Sequence, residues 1–166
     1  MLASFEQMSP NARIWVYQAD RSISASEKAQ MMVSLEGFLK QWAAHGSDLQ
    51  ASAAVLHDYF MVICMDESFQ MASGCSIDSK VRFVQELGQN MNINFFERTN
   101  LAFKTDSGVQ LVKLNDLKNS IAAGTVTVDS VFFENTVQTK GQLDNGWLVK
   151  AGESWLKRYF KAALNV

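Results

Sequence analysis

One long apolar stripe does most to limit the folds that this chain can adopt. Within residues 24–46, apolar side chains recur at intervals of three and four, in the order Met31, Met32, Leu35, Phe38, Leu39 and Trp42. Ser24 followed by Glu27 forms a capping box at the start, and Gly46 after His45 is a stop signal. The pattern predicts a helix of about six turns whose apolar face packs on another layer.

Strand-like segments on both sides of this helix indicate what that layer is. Runs of β-branched and aromatic residues alternate with turn signals such as His57-Asp58 and Thr105-Asp106-Ser107-Gly108. The predicted elements are, in order, strand 12–18, helix 24–46, strands 49–56 and 59–65, helix 77–91, the hairpin 98–104 and 109–114, helix 116–123, strand 131–133, a helical turn at 139–143 and a helix around 155–163. Through residue 104 this is the βαββαβ order of the ferredoxin-like unit.

The composition supports one ordinary globular domain. The 166 residues are 48% hydrophobic and 19% charged, which is enough apolar material for a core of its own. We therefore predict a single domain over residues 1–166 of the α+β class. It would have a mixed, largely antiparallel sheet with helices packed on it and a C-terminal extension.

Charge and cysteine content limit the partners and the compartment. The formal net charge is −2, so we expect neither nucleic acid nor an acidic membrane as a partner. The N-terminus lacks a secretory pattern, and no apolar run approaches the roughly 18–20 residues that span a bilayer. Cys64 and Cys75 are too few for a disulfide framework, which favours the cytoplasm. Apolar residues on the last helix leave a homodimer open.

The stretch 73–79 is the candidate functional site. It lies between a predicted strand and a predicted helix, where backbone N–H groups and the helix dipole favour anions and thiolates. With Ser76 as the predicted N-cap, Cys75 stands one residue outside the helix and Gly74 permits a sharp turn. The candidate ligand-binding residues are Gly74, Cys75, Ser76 and Asp78, with Cys75 as the candidate nucleophile.

A structural interpretation of the same stretch stays open. Asp78 in the first turn would repel a bound anion, and Gly-Cys-Ser is also an ordinary capped turn with a small apolar residue beneath it. His45 and His57 are predicted at the opposite end of the sheet from Cys75, so no Cys–His pair is expected. Histidines, cysteines and carboxylates at unrelated spacings predict no metal site.

Nucleotide-binding motifs are absent from the sequence. Neither GxxxxGK[ST] nor GxGxxG occurs, which excludes a P-loop ATPase, and we expect no cofactor. RNA-recognition modules share the βαββαβ order, but the segment beginning His57-Asp58-Tyr59-Phe60 lacks their basic residue and glycine.

Five separated segments carry a resemblance to a known family: Ile14-Trp15-Val16-Tyr17-Gln18, Trp42-Ala43-Ala44-His45-Gly46, Ala72 to Ser79, Asn94 to Asn100 and Ser154-Trp155-Leu156. Over nearly its whole length the chain resembles small uncharacterised proteins of Bacteroidetes that are often labelled "ABC transporter ATPase". The resemblance implies a bacterial cytoplasmic protein of one domain. The label itself has no support in this sequence, which has no Walker A motif.

Three functions remain as hypotheses. The first is a non-enzymatic binding or interaction protein, because the core pattern is complete and no catalytic constellation is recognisable. The second is a thiol-dependent enzyme or redox sensor that uses Cys75, with the Ser76 and Ile77 amides as an anion cradle. The third is a pocket for a small anionic ligand at residues 74–78.

Overall fold

The computed structural model describes residues 3–44, 50–67 and 73–164 and confirms the α+β class. Its strands are β1 (Arg13–Gln18), β2 (Gln50–Leu56), β3 (Phe60–Asp66), β4 (Asn100–Thr105), β5 (Gly108–Lys113), β6 (Val131–Phe133) and β7 (Leu148–Lys150). Its helices are α1 (Ala25–Ala44), α2 (Gly74–Met91), α3 (Leu117–Ala122), α4 (Lys140–Gly146) and α5 (Lys157–Leu164).

By their internal contacts the residues form two compact units. Unit 1 comprises Met1–Glu97 and Gln138–Leu143, and unit 2 comprises Arg98–Val137 and Asp144–Val166. The single domain over residues 1–166 stays a prediction, and each unit is described by itself below.

Unit 1 contains a three-stranded antiparallel sheet in the order β1-β3-β2. All six residues of β3 from Phe60 to Met65 are buried, as the central position requires. The three-residue loop between β2 and β3 includes His57 and Asp58 with φ angles of 54° and 59°. The predicted hairpin is therefore confirmed, with its turn at the expected residues.

Helices α1 and α2 complete the core of unit 1. The predicted capping box is confirmed: the Glu27 N–H donates to Ser24 Oγ at 3.2 Å, and the Ser24 N–H donates to Glu27 Oε1 at 3.0 Å. From the predicted stripe Met31, Leu35, Leu39 and Trp42 are buried. The predicted helix end at His45 and Gly46 lies outside the described residues.

The ferredoxin-like arrangement is not confirmed, because β4 takes no part in the first sheet. Strand β4 pairs with β5 and β6 in a second antiparallel sheet of order β5-β4-β6-β7 in unit 2. The outer edge of β1 is met instead by residues 138–139: the Ile14 N–H donates to the Gln138 carbonyl at 3.0 Å, and Arg13 bridges to Thr139. A short returning segment thus replaces the expected fourth strand.

Unit 2 buries its own apolar side chains around the second sheet. The buried residues of this core are Leu101, Phe103, Val112, Leu117, Val126, Phe132, Ala151, Leu156 and Phe160. Helix α3 begins after a 3-10 turn at Leu114–Asp116, and no side-chain hydrogen bond caps it at Asp116. Strand β7 was not predicted, because Leu148–Lys150 is too short to give a periodic pattern.

Candidate functional site

The predicted junction at residues 73–79 has a different helix start from the one expected. Ser73, and not Ser76, is the N-cap of α2, and its Oγ accepts the Ser76 N–H at 3.1 Å. The helix therefore begins at Gly74, and Cys75 is its second residue and exposed. Ser73 prevails because a serine oxygen reaches the N–H three residues later, which is the usual reach of an N-cap.

The predicted anion cradle is already occupied by the protein itself. The Ser76 N–H donates to Ser73 Oγ, and the Ile77 N–H donates to the Ser73 carbonyl at 3.0 Å. Asp78 is the fifth residue of α2 and not part of its first turn. The two amides assigned to an oxyanion are thus not free to bind one.

The junction also fastens α1 to α2. Trp42 Nε1 donates to the Ser76 carbonyl at 3.0 Å, across 34 residues of sequence. His57 and Cys75 lie beyond opposite ends of β3, a strand of seven residues, or about 23 Å at 3.3 Å per residue. His45 lies outside the described residues. A reactive Cys75 stays a prediction, and the described contacts of the junction are structural.

A buried lysine forms a site that the sequence analysis missed. Lys80 is only 1% exposed, and α2 directs it at the face of β1 that carries Trp15 and Tyr17. Its Nζ lies 2.6 Å from Tyr17 Oη, 4.1 Å from the Trp15 ring centroid and 5.1 Å from the Tyr17 ring centroid. Among residues 3–44, 50–67 and 73–164, no carboxylate forms an ion pair with it.

Burial decides the protonation chemistry of this pair. It lowers the pKa of Lys80 to about 7, and the positive charge of Arg13 acts in the same direction. Burial also raises the pKa of the Tyr17 hydroxyl to about 12. Near neutral pH a large fraction of the amine is therefore uncharged beside a protonated phenol. An uncharged lysine in apolar surroundings is a typical nucleophile or base.

A signal for Lys80 existed in the sequence. The buried face of α2 includes Lys80, Val84 and Leu87, at intervals of four and three residues. Ile77 and Val81, which continue the apolar spacing of Val84 and Leu87, are only half-buried. Lysine fits the buried face since its long aliphatic stem packs there like an apolar side chain.

The loop 92–96, which follows α2 and is called the clamped loop below, borders this site. The Arg21 guanidinium donates to both carboxylate oxygens of Glu27, at 3.0 and 2.7 Å, and to the carbonyls of Met91 and Asn92, at 2.8 and 3.2 Å. The hydrogen bonds from Arg21, followed by that from the Ser24 N–H, lower the pKa of Glu27 to about 2. The Asn94 N–H in turn donates to Asp20 Oδ1 at 2.9 Å. The C-terminal end of α2 is thus held to the N-terminal end of α1.

The clamped loop and α2 border an open cavity of about 600 Å³. Its lining is largely polar, with Asp20, Gln85, Gln89 and Asn94, and includes the apolar Val84 and Ile93. Phe96, which is 37% exposed, lines the cavity and also meets the Tyr17 ring edge-on, with 5.8 Å between ring centroids. Phe96 therefore links the cavity to the Tyr17–Lys80 pair.

A second cavity of about 510 Å³ is a groove along β2. Five consecutive residues of that strand, 52–56, form its floor. Helix α1 contributes one wall and the N-terminal segment, with Ala3, Phe5 and Glu6, contributes the other. Ser52 Oγ donates to the Ala3 carbonyl at 2.7 Å and holds that segment against the strand.

In the described part of the chain, no cluster of three histidine, cysteine, aspartate or glutamate side chains is placed to hold a metal ion. Within the same residues, no helix combines the length and apolarity that crossing a membrane requires.

No family model, curated protein or solved structure matches the chain. The resemblance to the Bacteroidetes family stays a prediction.

Proposed function

We propose that this protein is a non-enzymatic interaction protein that binds an extended segment of a partner protein in the groove along β2. The observation that carries this proposal is the edge position of β2. It pairs with β3 on one side, and within the described residues no other strand pairs with it. Residues 52–56 of this strand line the groove. An edge strand of this kind is a template for a further strand.

The shape of the groove fits one extended chain. A strand advances about 3.3 Å per residue, so the five residues of β2 in the floor match a partner segment of about five residues. The residues at 52–54 are serine and two alanines; Ser52 and Ala53 are buried, whereas Ala54 is half-buried. Backbone hydrogen bonds would supply affinity without regard to the partner's sequence.

The two walls would supply specificity. Successive side chains of a strand point to opposite faces, so every second residue of the bound segment would face α1 and the others the N-terminal segment. On the α1 side Met32 and Leu35 are apolar, with Lys28 and Glu36 as charged groups. On the other side Phe5 is apolar. A segment with apolar residues at alternate positions therefore suits the groove.

Fluorescein-labelled heptapeptides with alternating apolar and polar residues test this proposal by fluorescence polarisation. The matched control carries N-methyl groups on the amides of one edge, which removes the donors that pair with β2 and keeps the side chains. We expect binding by the unmodified peptide and at least tenfold weaker binding by the N-methylated one. Equal affinity for both peptides would contradict strand addition.

Two neighbouring residues of α1 provide a matched pair of variants. Met32→Glu places a charge in the wall of the groove, whereas Val33→Glu places the same charge on a residue that is 74% exposed and lines neither cavity. We expect Met32→Glu to abolish peptide binding and Val33→Glu to retain it, with circular dichroism confirming that both fold. Loss of binding in both variants, or in neither, would argue against this groove.

We place the protein in the cytoplasm, because two cysteines in 166 residues are too few for a disulfide framework. A peptide with the β2 sequence Gln50 to Leu56 tests whether a second copy of the chain occupies the groove. Binding of that peptide, together with a concentration-dependent dimer in sedimentation, would replace the heterologous partner by a homodimer.

A further inference from the structure

We infer that Lys80 is a covalent site for small uncharged aldehydes, which reach it from the cavity beside Phe96 and bind as a reversible imine. This site lies on β1 and α2, away from the groove along β2, and is independent of the proposed peptide binding. Three structural observations support it: the contacts of Lys80, the charges that face it, and the position of Phe96.

The first observation concerns the surroundings of the amine. Lys80 Nζ contacts the hydroxyl of Tyr17 at 2.6 Å and the face of Trp15, and no described carboxylate neutralises it. A lysine that only stabilises a core is normally paired with an acid, because burying a lone ammonium is costly. Here the low-cost state of the side chain is the uncharged amine, which is also the nucleophilic state.

The second observation concerns charge. The cation that faces Lys80 is Arg13, whose guanidinium lies 4.7 Å from the centroid of the same Trp15 ring. Glu67 lies 3.5 Å from Arg13 and forms an ion pair with it. Tyr17 is the other titratable group in contact with Lys80, and it is uncharged at neutral pH. Apolar aromatic walls favour a carbonyl compound without charge, because a charged one would lose its hydration there.

The third observation concerns access. Phe96 is partly exposed and forms both the wall of the 600 Å³ cavity and the edge contact with Tyr17. Its N–H is held by Asn94 Oδ1 at 2.9 Å, so the backbone is fixed while the ring stands at the surface. In the proposed route, a rotamer change of the Phe96 side chain, which takes picoseconds to nanoseconds at exposed positions, opens the cavity toward Tyr17.

The proposed chemistry is balanced without any oxidant or metal. The lone pair of Lys80 Nζ attacks the carbonyl carbon, and the C=O π pair moves to oxygen, which takes the Tyr17 proton. Tyr17 regains a proton from the new N–H, which leaves a neutral carbinolamine. The C–O bond then breaks as that oxygen takes a second proton from Tyr17 and leaves as water, while the nitrogen lone pair forms C=N. Loss of the last N–H proton restores Tyr17.

Reductive trapping of the wild-type protein tests the inference directly. The full chain is incubated with propionaldehyde and cyanoborohydride at pH 7, and propylation is mapped by peptide mass spectrometry. We expect Lys80 to be labelled at least tenfold faster than exposed Lys28 and Lys118. An ordinary lysine, with pKa about 10.4, is uncharged in only about one molecule in 2,500 at this pH. Slower labelling of Lys80 than of the exposed lysines would overturn the inference.

Two variants and one internal control distinguish reaction of Lys80 in the folded protein from reaction after unfolding. Phe96→Ala should accelerate labelling of Lys80, and Tyr17→Phe should slow it, while neither changes the rate at Lys28. Cys64 is 0% exposed and reports global opening through iodoacetamide alkylation. Lys80 labelling that rises and falls in parallel with Cys64 alkylation would show reaction through unfolding and would also overturn the inference.

Discussion

Lys80 Nζ and Tyr17 Oη lie 2.6 Å apart in the interior of unit 1, and burial moves their two pKa values in opposite directions. The pKa of Lys80 falls to about 7 and that of Tyr17 rises to about 12. Because lysine ordinarily titrates above tyrosine, the folded chain reverses their order. The pH dependence of the unfolding free energy should therefore report the shifted pKa values of these two residues.

The first prediction is a stability maximum near pH 10. Between pH 7 and about 10.4 the unfolded chain binds the Lys80 proton and the folded chain does not, so stability rises with pH, by up to about 1.4 kcal/mol per unit. Above pH 10 the unfolded chain loses the Tyr17 proton first. Because the folded chain keeps that proton to about pH 12, stability falls again. Urea unfolding between pH 6.5 and 11.5 measures both limbs.

The control for this prediction is Lys80→Met, which keeps an unbranched apolar side chain on α2. The rise between pH 7 and 10 should vanish in the variant, and at pH 7 the variant should be more stable than the wild type. Parallel pH profiles for the two proteins would mean that the folded chain protonates Lys80 like an exposed lysine.

A second prediction concerns the start of α2. Ser73→Ala removes the oxygen that accepts the Ser76 N–H and should cost about 1 kcal/mol of unfolding free energy. Ser76→Ala keeps the backbone N–H and loses only the contact between the two hydroxyls at 2.9 Å, so its cost should be smaller. Chemical denaturation of the two variants ranks them, and the reverse order would restore Ser76 as the cap.

A third prediction concerns the clamp between Arg21 and Glu27. The pKa of Glu27 falls to about 2 because Arg21 and the Ser24 N–H bind its carboxylate. A lowered folded pKa gives stability that is present above the ordinary value of about 4.3 and is lost as pH falls toward 2. Thermal unfolding from pH 5.5 to 2 should therefore show a steeper fall of Tm for the wild type than for Glu27→Gln.

Glu36→Gln is the comparison for the clamp. It removes an exposed pair with Lys40 at 3.1 Å, four residues apart on α1, and such pairs contribute little. Its Tm at neutral pH should stay close to that of the wild type, whereas Glu27→Gln should lower it. Equal effects of the two substitutions would show that the Arg21 bonds to the Met91 and Asn92 carbonyls stabilise the loop without the carboxylate.

Local sequence signals were sufficient for the elements of this fold but not for their assembly. The Ser24 and Glu27 capping box and the turn at His57-Asp58 depend on residues that are close in sequence, and both are confirmed. The sheet that β4 joins depends on contacts with β5 and β6 and on the return of residues 138–139 to β1. No local pattern distinguishes that return from a fourth strand.

The candidate site likewise separates what local sequence signals predict from what depends on long-range contacts. The glycine, serines and cysteine of 73–79 predict a site because their chemistry is visible in the sequence, yet Ser73 and Ser76 bind each other. Lys80 became chemically unusual only through Trp15 and Tyr17, which are more than 60 residues away. Burial is a property of the assembled core, so the pKa of a lysine cannot be predicted from its neighbours in sequence.

The last prediction uses two glycines of the helices. A Cβ added at Gly88 of α2 would lie 2.5 Å from the Ile93 carbonyl oxygen, which is a backbone atom fixed by the Gly88–Ile93 turn and cannot move aside alone. Gly88→Ala should therefore destabilise the protein by about 1–3 kcal/mol, as overpacking does. Gly37 of α1 is exposed and has no such neighbour within 4 Å.

Gly37→Ala should accordingly stabilise the protein by about 0.5–1 kcal/mol, because alanine loses less backbone entropy in a helix. Guanidinium unfolding of the two single variants should show a lower unfolding free energy for Gly88→Ala and a higher one for Gly37→Ala. The same Gly88→Ala substitution should also shift the loop 92–96 and widen the approach to Tyr17, so labelling of Lys80 by propionaldehyde should rise with it. Stabilisation by both alanines would show that Ile93 does not approach α2 as closely as its carbonyl position indicates.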